Sequence, residues 1–372
     1  MPGGRLHPYA GTVASEDERR REPEGAAAPP GIDRIRDIIV CAAEASDSVT
    51  PEEFRAHPPV GAPERLFPNA VSGVELGDGV KLLSLPSEEA DEIMNACTPR
   101  GGNFDPIRQF SQRYSFVRDR TFEEIDDSYF NPDEDGKLYD ALSLSRLIRD
   151  HGFSLQYAAR VIDREDGKRT IAYRASGEGN AAYRLAPDRE WLDGPEAEEL
   201  AKLLTAKRST ELPPRVTRAM WRSEYATRIA WADVMLPMLI GGLEALLKVG
   251  RGQLTAQFKR RATALAAELE VDGIDERLCR RMYDGRSDWV HGSHVRLFGR
   301  AEGQGPTDAQ ERQVLDEIAK MRDLLRTAIR RAIEDSEFRA IFADDGALEE
   351  RWPAPRPRAG FWRRVQQRLL AA

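Results

Sequence analysis

The segment Ile274–Gly292, IDERLCRRMYDGRSDWVHG, carries a clear helical pattern together with a dense group of reactive side chains. Its apolar or small residues recur every three or four positions: Ile274, Leu278, Met282, Gly285 and Trp289. This spacing places them on one face of a helix. Gly292 directly follows the pattern and is a natural helix stop. The segment therefore predicts a helix over 274–291 with one face turned toward a core.

Three further stretches with helical periodicity flank this segment, and together with it they predict a helical bundle over residues 213–346. Val216–Val249 is expected to be one long helix, bent at Pro237 because proline lacks the backbone N–H that a helix interior needs. Leu254–Glu270 and Thr307–Glu334 are predicted as the second and fourth helices. Five residues of the fourth helix should face the core: Val314, Ile318, Met321, Leu325 and Ile329.

Residues 32–212 mix short helical and strand patterns, which predicts an α+β domain of unknown role before the all-α bundle, and a fold that is mainly helical overall. A helix is predicted from Ile32, because Ile35, Ile38 and Ile39 recur at helical spacing. Alternating apolar residues and turn residues predict the strands and hairpins. The other predicted elements are hairpins at 73–85 and 154–174, a strand at 112–118, and helices at 87–97, 139–151 and 195–204.

The two ends of the chain differ from the rest in composition. Residues 1–31 hold five prolines and five glycines and little apolar surface, so we expect a disordered arm. Residues 347–372 form a basic tail rich in Pro and Arg, with six arginines and no acid from Arg351 onward. With Trp352 and Trp362, the tail could hold RNA by stacking and charge, lie on an anionic membrane surface, or pack on its own domain.

Composition and charge narrow the class of protein. The chain has 372 residues and no uncharged apolar run of about 18, so no transmembrane helix and no membrane role is predicted. An N-terminal apolar signal segment is missing and the three cysteines lie far apart, which predicts a cytoplasmic protein without a disulfide framework. The net charge is −8, yet residues 250–300 hold ten Lys or Arg against seven Asp or Glu. An anionic ligand is therefore expected in the C-terminal third.

Arg286 and His291 are the side chains of segment 274–292 best suited to chemistry on a phosphate. Arginine presents a fixed fork of donors that fits a phosphate, and histidine titrates near neutral pH, so it can exchange a proton. On a helix their five-residue spacing separates them by about 140°. A bend, the reach of the arginine or a second copy of the helix would be needed to bring them together. From spacing alone, a helix-capping His291 and a solvated Arg286 remain open.

The same segment resembles the Tyr-x-x-Arg-Ser-x-x-Val-His-Gly signature of the Apea-like HEPN family. Upstream, Ile240–Leu247 (IGGLEALL) is similar to that family's aliphatic-x-x-Leu-Glu-Ala-Leu-Leu helix, and Leu254-Thr255 followed by Arg261-Ala262 is similar to its second helix. Order and spacing agree over Val216–Asp344, about a third of the chain. Departures from the family pattern are a glycine at 285, a methionine at 282 and a bulky Trp289; none of them replaces the arginine or the histidine.

The resemblance implies a bundle that forms a homodimer and cleaves RNA without a metal, in antiphage defence or as a toxin or stress ribonuclease. Arg286 would bind the scissile phosphate, and His291 would act as general base or acid when the ribose 2′-hydroxyl attacks. Ser287 fills the polar position after the arginine, Tyr283 belongs to the signature, and Glu244 would orient an Arg or His. Glu244 pairing with Lys248 along its own helix is the alternative. Residues 32–212 would sense a protein or phage trigger, or restrain the site.

Five basic residues flank the segment and are expected either to bind RNA or to form solvated helix faces: Lys259, Arg260, Arg261, Arg280 and Arg281. The alternative function is a non-catalytic HEPN module that dimerises and binds RNA or a nucleotide.

No metal or cofactor is predicted. His294 lies three residues after His291, but no third ligand is near it in the sequence. Asn131–Gly136 has the composition of a calcium loop, yet Leu142 stands where the bidentate glutamate should be, so a turn is expected. The glycines of Gly177–Gly179 lack the third glycine and the helix of a dinucleotide loop.

Overall fold

The structure, a computed structural model, describes residues 31–43, 73–83, 85, 87–97, 112–121, 136–151, 154–175, 192–228, 232–250, 253–290 and 308–355. Most of the described chain is helical, and an antiparallel sheet lies in its N-terminal part. The predicted order, an α+β part followed by helices, is confirmed.

Six strands form one antiparallel sheet in the order β2-β3-β4-β1-β5-β6. Both predicted hairpins are confirmed, and the strand predicted at 112–118 extends to Arg120. The turn of the first hairpin contains Asp78 and Gly79, both with positive φ, which matches a type I′ turn. The strands are β1 Ile32–Ala43, β2 Val74–Gly77, β3 Val80–Leu83, β4 Gln112–Arg120, β5 Ser154–Arg164 and β6 Arg169–Ala175.

The helix predicted from Ile32 is wrong, because these residues form the central strand β1. It pairs with both β4 and β5, and every side chain from Ile35 to Cys41 is buried. A strand covered on both faces shows a continuous apolar run instead of alternation, and the spacing of so short a run does not separate strand from buried helix. The β-branched Ile38-Ile39-Val40 was the signal that favoured a strand.

Helices cover both faces of the sheet. On one face, α1 (Ser87–Cys97) packs Ile93 and Cys97 against the sheet. On the other face, a larger core cluster contains residues of α2 (Lys137–Ile148) and α3 (Gly194–Arg208). The three helices predicted in this part of the chain are therefore confirmed, with boundaries that shift by a few residues.

Five further helices follow. The helix predicted over Val216–Val249 is divided in two, but the division does not fall at Pro237. The chain forms two helices there, α4 (Pro214–Thr227) and α5 (Ala232–Leu247), with Pro237 inside the second. Proline removes the bond to the carbonyl four residues earlier, which here is Asp233, next to the first residue of α5. The remaining helices are α6 Leu254–Glu268, α7 Glu276–Val290 and α8 Asp308–Glu334.

The helical part continues past residue 346, where the basic tail was predicted to begin. Two short helices, α9 (Ser336–Ile341) and α10 (Asp345–Arg351), follow α8, and Trp352 directly after α10 is buried against Phe338 and Phe342. The five residues of α8 predicted to face the core are all buried. One core cluster joins the sheet, α2, α3 and the later helices, so the predicted boundary at residue 212 does not separate two cores.

The paired glycines Gly241 and Gly242 let α5 lie close to its neighbours. A Cβ on Gly241 would stand 2.7 Å from the Arg222 Nη1 of α4, and one on Gly242 would stand 2.7 Å from the Leu325 Cδ2 of α8. A larger residue at either position would have to displace the end of the Arg222 or Leu325 side chain, so the glycines make room for these two side chains against α5. Across the described ranges, no helix has the length and apolar character needed to cross a bilayer.

Candidate functional site

Three of the predicted site residues meet where α5 packs on α7. The Tyr283 hydroxyl donates to Glu244 Oε1 at 3.0 Å, and Arg286 Nη2 donates to Glu244 Oε2 at 3.0 Å. Tyr283 and Arg286 are three residues apart on α7, so they lie on the same side of the helix. Arg286 Cζ also lies 5.9 Å from the centre of the Tyr283 ring. The structure therefore places Glu244 between the two α7 side chains that the motif singles out.

The residues of this cluster range from buried to partly exposed. The Tyr283 ring is buried and packs on Phe258 of α6 at 4.9 Å between ring centres. Burial, together with the neighbouring Glu244 carboxylate, raises the pKa of Tyr283 to about 12. The phenol therefore stays protonated at neutral pH and remains a donor. The Arg286 side chain keeps 26% of its surface exposed, so the guanidinium is accessible to a ligand.

The arrangement suits the binding of an anion at Arg286. A guanidinium has five N–H donors, and Glu244 takes one of its Nη2 donors. The carboxylate and the phenol thus fix the direction of the side chain without using the whole fork. Arg286 also lies four residues before the end of α7, which ends at Val290. His291, the predicted proton-transfer residue, is the next residue along the chain and lies outside the described residues, as does His294.

Ser287, the polar residue after the arginine, is half-buried. The alternative pairing of Glu244 with Lys248 is wrong. Lys248 follows the last residue of α5 with a positive φ, and its ammonium pairs with Asp345 of α10. Glu244 is therefore left to Tyr283 and Arg286.

Four of the five flanking basic residues lie at the surface of α6 and α7. Lys259 pairs with Glu276, Arg280 pairs with Asp284, and Arg281 pairs with Glu317. Arg260 is exposed. The Arg281 guanidinium is held by both Glu317 oxygens, whereas Arg280 keeps 72% of its side-chain surface exposed and its contact is long, at 3.5 Å. Arg260 and Arg280 are the members of this set that remain open to an anionic ligand.

Arg261 is buried, which contradicts its predicted place in an RNA-binding surface. Only 2% of its surface is exposed, and its donors bind the carbonyl oxygens of Leu247, Lys248 and Trp352. Glu349 takes a further donor. These contacts satisfy the C-terminal carbonyls of α5 and tie α10 to α6. The role of Arg261 is structural. The consecutive Lys and Arg residues 259–261 do not show from the sequence which of them is buried.

Arg222 of α4 was not singled out from the sequence, yet it is anchored beside the cluster. Its guanidinium donates to the carbonyl oxygen of Gly241, one turn before Glu244 on α5. The signal for this contact was the pair of adjacent glycines, which in a helix indicates a close approach by a neighbour.

A second polar cluster lies where α2, α4 and α8 meet, and its serine–histidine pair invites comparison with a nucleophile and its base. The Ser145 hydroxyl lies 2.8 Å from His151 Nε2, but it donates to the Leu142 carbonyl at 2.6 Å and is fully buried. Burial, with the nearby positive charge of Arg146, holds the pKa of His151 well below its usual value of 6.5. Arg146 in turn pairs with Glu224 of α4. This closed cluster joins the sheet part to the bundle and offers no access to a substrate.

Among the residues that the structure describes, no three His, Cys, Asp or Glu side chains group as metal ligands. The predicted turn at Asn131–Gly136 lies outside the described residues except for Gly136, and Gly177–Gly179 lie outside them entirely. So do residues 1–30 of the predicted arm and residues 356–372 of the predicted tail. Comparison of the chain with protein-family models, with curated proteins and with solved structures gave no match. The resemblance to the HEPN family therefore rests on the residues quoted from the sequence.

Proposed function

We propose that this protein is a metal-independent endoribonuclease of the HEPN type, in which Arg286 binds the scissile phosphate and His291 transfers protons. The observation that supports it is the Glu244–Tyr283–Arg286 cluster, with a carboxylate on α5 directing a partly exposed arginine near the C-terminal end of α7. A guanidinium fixed in this way is prepared to bind a phosphate, since little side-chain freedom is left to lose.

The chemistry needs only these groups and the RNA. His291 as base takes the proton of a ribose 2′-hydroxyl, and the 2′-oxygen attacks the adjacent phosphorus. The bond from phosphorus to the 5′-oxygen breaks, which leaves a 2′,3′-cyclic phosphate on one fragment and, after protonation, a 5′-hydroxyl on the other. Arg286 would stabilise the negative charge that grows on the phosphoryl oxygens. A homodimer through the bundle would let the arginine and histidine of two copies converge, which is one of the three ways in which residues about 140° apart by helical spacing could meet.

One observation favours the alternative of a non-catalytic RNA- or nucleotide-binding module. Glu244 already pairs with Arg286, so part of the arginine's charge is neutralised before any ligand binds. In that case the cluster would hold α5 against α7, and RNA would bind without being cleaved.

Cleavage by the wild-type protein and by His291→Ala separates the two functions. Proton transfer by a positioned side chain contributes about 10²–10⁴-fold in rate, so His291→Ala should lose cleavage by about that factor. The measurement is the initial rate of cleavage of a labelled RNA, with the cyclic phosphate end identified by mass spectrometry and EDTA present throughout.

His294→Ala is the matched control, because it removes a histidine three positions away and should leave the rate unchanged. Equal rates for wild type and His291→Ala would contradict the ribonuclease proposal and favour the binding module. Loss of cleavage in EDTA, restored by magnesium, would contradict the metal-independent mechanism.

A further inference from the structure

The solvent-facing side of α4 carries two large aromatic side chains that no part of the proposed site uses. Trp221 is 60% exposed and Tyr225 is 50% exposed, which is unusual for side chains of this size. They are four residues apart, so they are neighbours on the helix surface. Their ring centres lie 6.0 Å apart with an angle of 27° between the planes, so the two rings are stacked on each other at the helix surface.

Every exposed residue of α4 lies in a single stripe with these rings. The stripe consists of Pro214, Thr217, Arg218, Trp221 and Tyr225. It contains a cation and no acid; the one acid of α4, Glu224, is buried and turned toward Arg146 and Tyr139. Beside the stripe, the half-buried Arg222 binds the Gly241 carbonyl. Within the described part of the chain, no carboxylate pairs with Arg218 or Arg222.

We infer that the α4 stripe is a platform for single-stranded RNA, on which unpaired bases stack on Trp221 and Tyr225 while Arg218 contacts the backbone. Proteins that hold single strands combine such aromatic faces with nearby positive charge. The inference rests on the proposed function, because RNA is the ligand for which the site on α7 is proposed, and it assigns to α4 the task of holding the strand.

The charge of the stripe favours RNA over a second copy of this chain. A two-fold contact places the same surface on both partners, so Arg218 of both copies would enter the contact with no acid in the stripe to offset the charge. A phosphate backbone supplies the negative charge that this surface lacks.

The side chain next to Trp221 in the sequence links α4 to the helix that carries part of the proposed site. Arg222 follows Trp221 directly and is bonded to Gly241, three residues before Glu244 on α5. Three helical residues correspond to about 4.5 Å along the axis. The guanidinium of Arg222 is thus bonded to α5 about one helical turn before the residue that directs Arg286.

The test measures binding separately from cleavage. Fluorescence anisotropy of a labelled 12-nucleotide oligoadenylate is followed with full-length protein carrying His291→Ala, so that the RNA stays intact. Trp221→Ala in this background should weaken binding by about 5- to 150-fold, the range that one base–aromatic stack contributes. Trp221→Phe should retain most of the affinity, whereas Trp221→Leu, which keeps apolar bulk but cannot stack, should bind as weakly as Trp221→Ala.

Charge is tested with a matched pair of cations. Arg218→Ala should lower the slope of log affinity against log salt by about 0.7, the value for one phosphate contact on a single strand. Lys202→Ala removes an exposed cation on α3, away from the stripe, and should leave both the affinity and the slope unchanged. A double-stranded RNA should show little response to Trp221→Ala, because its bases are already stacked.

Three results would overturn the inference. Trp221→Ala with Tyr225→Ala binding RNA as tightly as the parent would exclude a stacking platform, as would full affinity in Trp221→Leu. Light scattering that shows a dimer dissociating in the double variant, with RNA binding unchanged, would assign the stripe to a second copy instead. Loss of cleavage in His291→Ala together with unchanged RNA binding in the stripe variants would reject the platform and support the ribonuclease proposal. Unchanged cleavage in His291→Ala together with weaker RNA binding in the stripe variants would reject only the ribonuclease proposal.

Discussion

The ion pairs Arg160–Asp37 and Arg286–Glu244 join the same two chemical groups in very different settings. Arg160 and Asp37 face each other on β5 and β1, their side chains are 0% and 1% exposed, and two hydrogen bonds of 2.7 and 2.9 Å join them. Arg286 and Glu244 lie between two helices with 26% and 16% of their side chains exposed, joined by one hydrogen bond of 3.0 Å.

The difference separates a structural ion pair from one that can serve a ligand. A carboxylate buried in the sheet must be fully satisfied, because an unpaired charge there carries the whole cost of desolvation. Within the described residues, the pair on α5 and α7 leaves other donors of Arg286 unused, so the proposed phosphate contact would not require the pair to break. Substitutions in the first pair should therefore change stability, and substitutions in the second should change RNA binding and cleavage.

Asp37→Ala should give the largest change in stability. Removing one partner of a buried ion pair costs about 3–5 kcal/mol, since Arg160 would be left buried without its carboxylate. Urea unfolding followed by circular dichroism measures the free energy of unfolding. Asp166→Ala, which removes the exposed partner of Lys168, is the control and should leave stability nearly unchanged. A small effect in Asp37→Ala would mean that the sheet does not depend on this pair.

Arg286→Ala should reverse this pattern. Hydrogen bonds to charged groups contribute about 1.5–3 kcal/mol, so loss of the phosphate contact should weaken RNA binding by about 10- to 100-fold, with a further loss in cleavage rate. Stability should fall by only about 1 kcal/mol, because the pair is partly exposed. Arg286→Lys keeps the charge without the fork and should give an intermediate affinity. Unchanged RNA affinity in Arg286→Ala, with a large loss of stability, would place this pair in the same class as the pair in the sheet.

His151 allows the comparison to be tested through the pH dependence of stability. Its pKa is held well below 6.5 in the folded protein, so below pH 6.5 the unfolded chain binds a proton that the folded chain does not. Stability from this group is therefore present above pH 6.5 and is lost as pH falls, by at most about 1.4 kcal/mol per pH unit. In His151→Gln this contribution is absent, so the unfolding free energy should depend less on pH below 6.5 than it does in the wild type. An identical pH dependence in wild type and variant would contradict a neutral, buried His151.

Tyr283→Phe should give the smallest effect. It removes one hydrogen bond to Glu244, which contributes about 0.5–1.5 kcal/mol, and leaves the ring packed on Phe258. Cleavage should fall by about tenfold or less, through a less well-directed Arg286 rather than through a lost catalytic group. Absorbance at 295 nm during alkaline titration should lose a component near pH 12 in this variant. A loss of cleavage as large as that of His291→Ala would show that the phenol itself takes part in the chemistry.

The helices of the C-terminal part could be predicted because each carries its own pattern. In α8 an apolar residue recurs every three or four positions, from Val314 to Ile329, and all five predicted core residues are buried. The boundary between α4 and α5 could not be placed, since neither the periodicity nor Pro237 marks it. The first strand was missed for a related reason: the central strand of a sheet loses its alternation when helices cover both faces.

The candidate site was predictable in its residues and not in its connections. The motif named Tyr283, Arg286 and Glu244. Glu244 accepts hydrogen bonds from Tyr283, 39 residues further along the chain, and from Arg286, 42 residues further along. Charge runs were a poorer guide. Lys259-Arg260-Arg261 looks uniform in the sequence, yet the third member is buried and bound to the ends of α5 and α10.

The sequence by itself determined the order of an α+β part and a helical part, the cation-rich segment 250–300, and the side chains available for chemistry on a phosphate, because periodicity, composition and residue type are local properties. The tertiary structure decided which charges are buried and which remain accessible. Whether Arg160, Arg261 or Arg286 can reach a ligand depends on what packs over each of them, and those neighbours come from distant parts of the chain. Only the packing of α5 on α7 turned Glu244 away from Lys248 and toward Arg286.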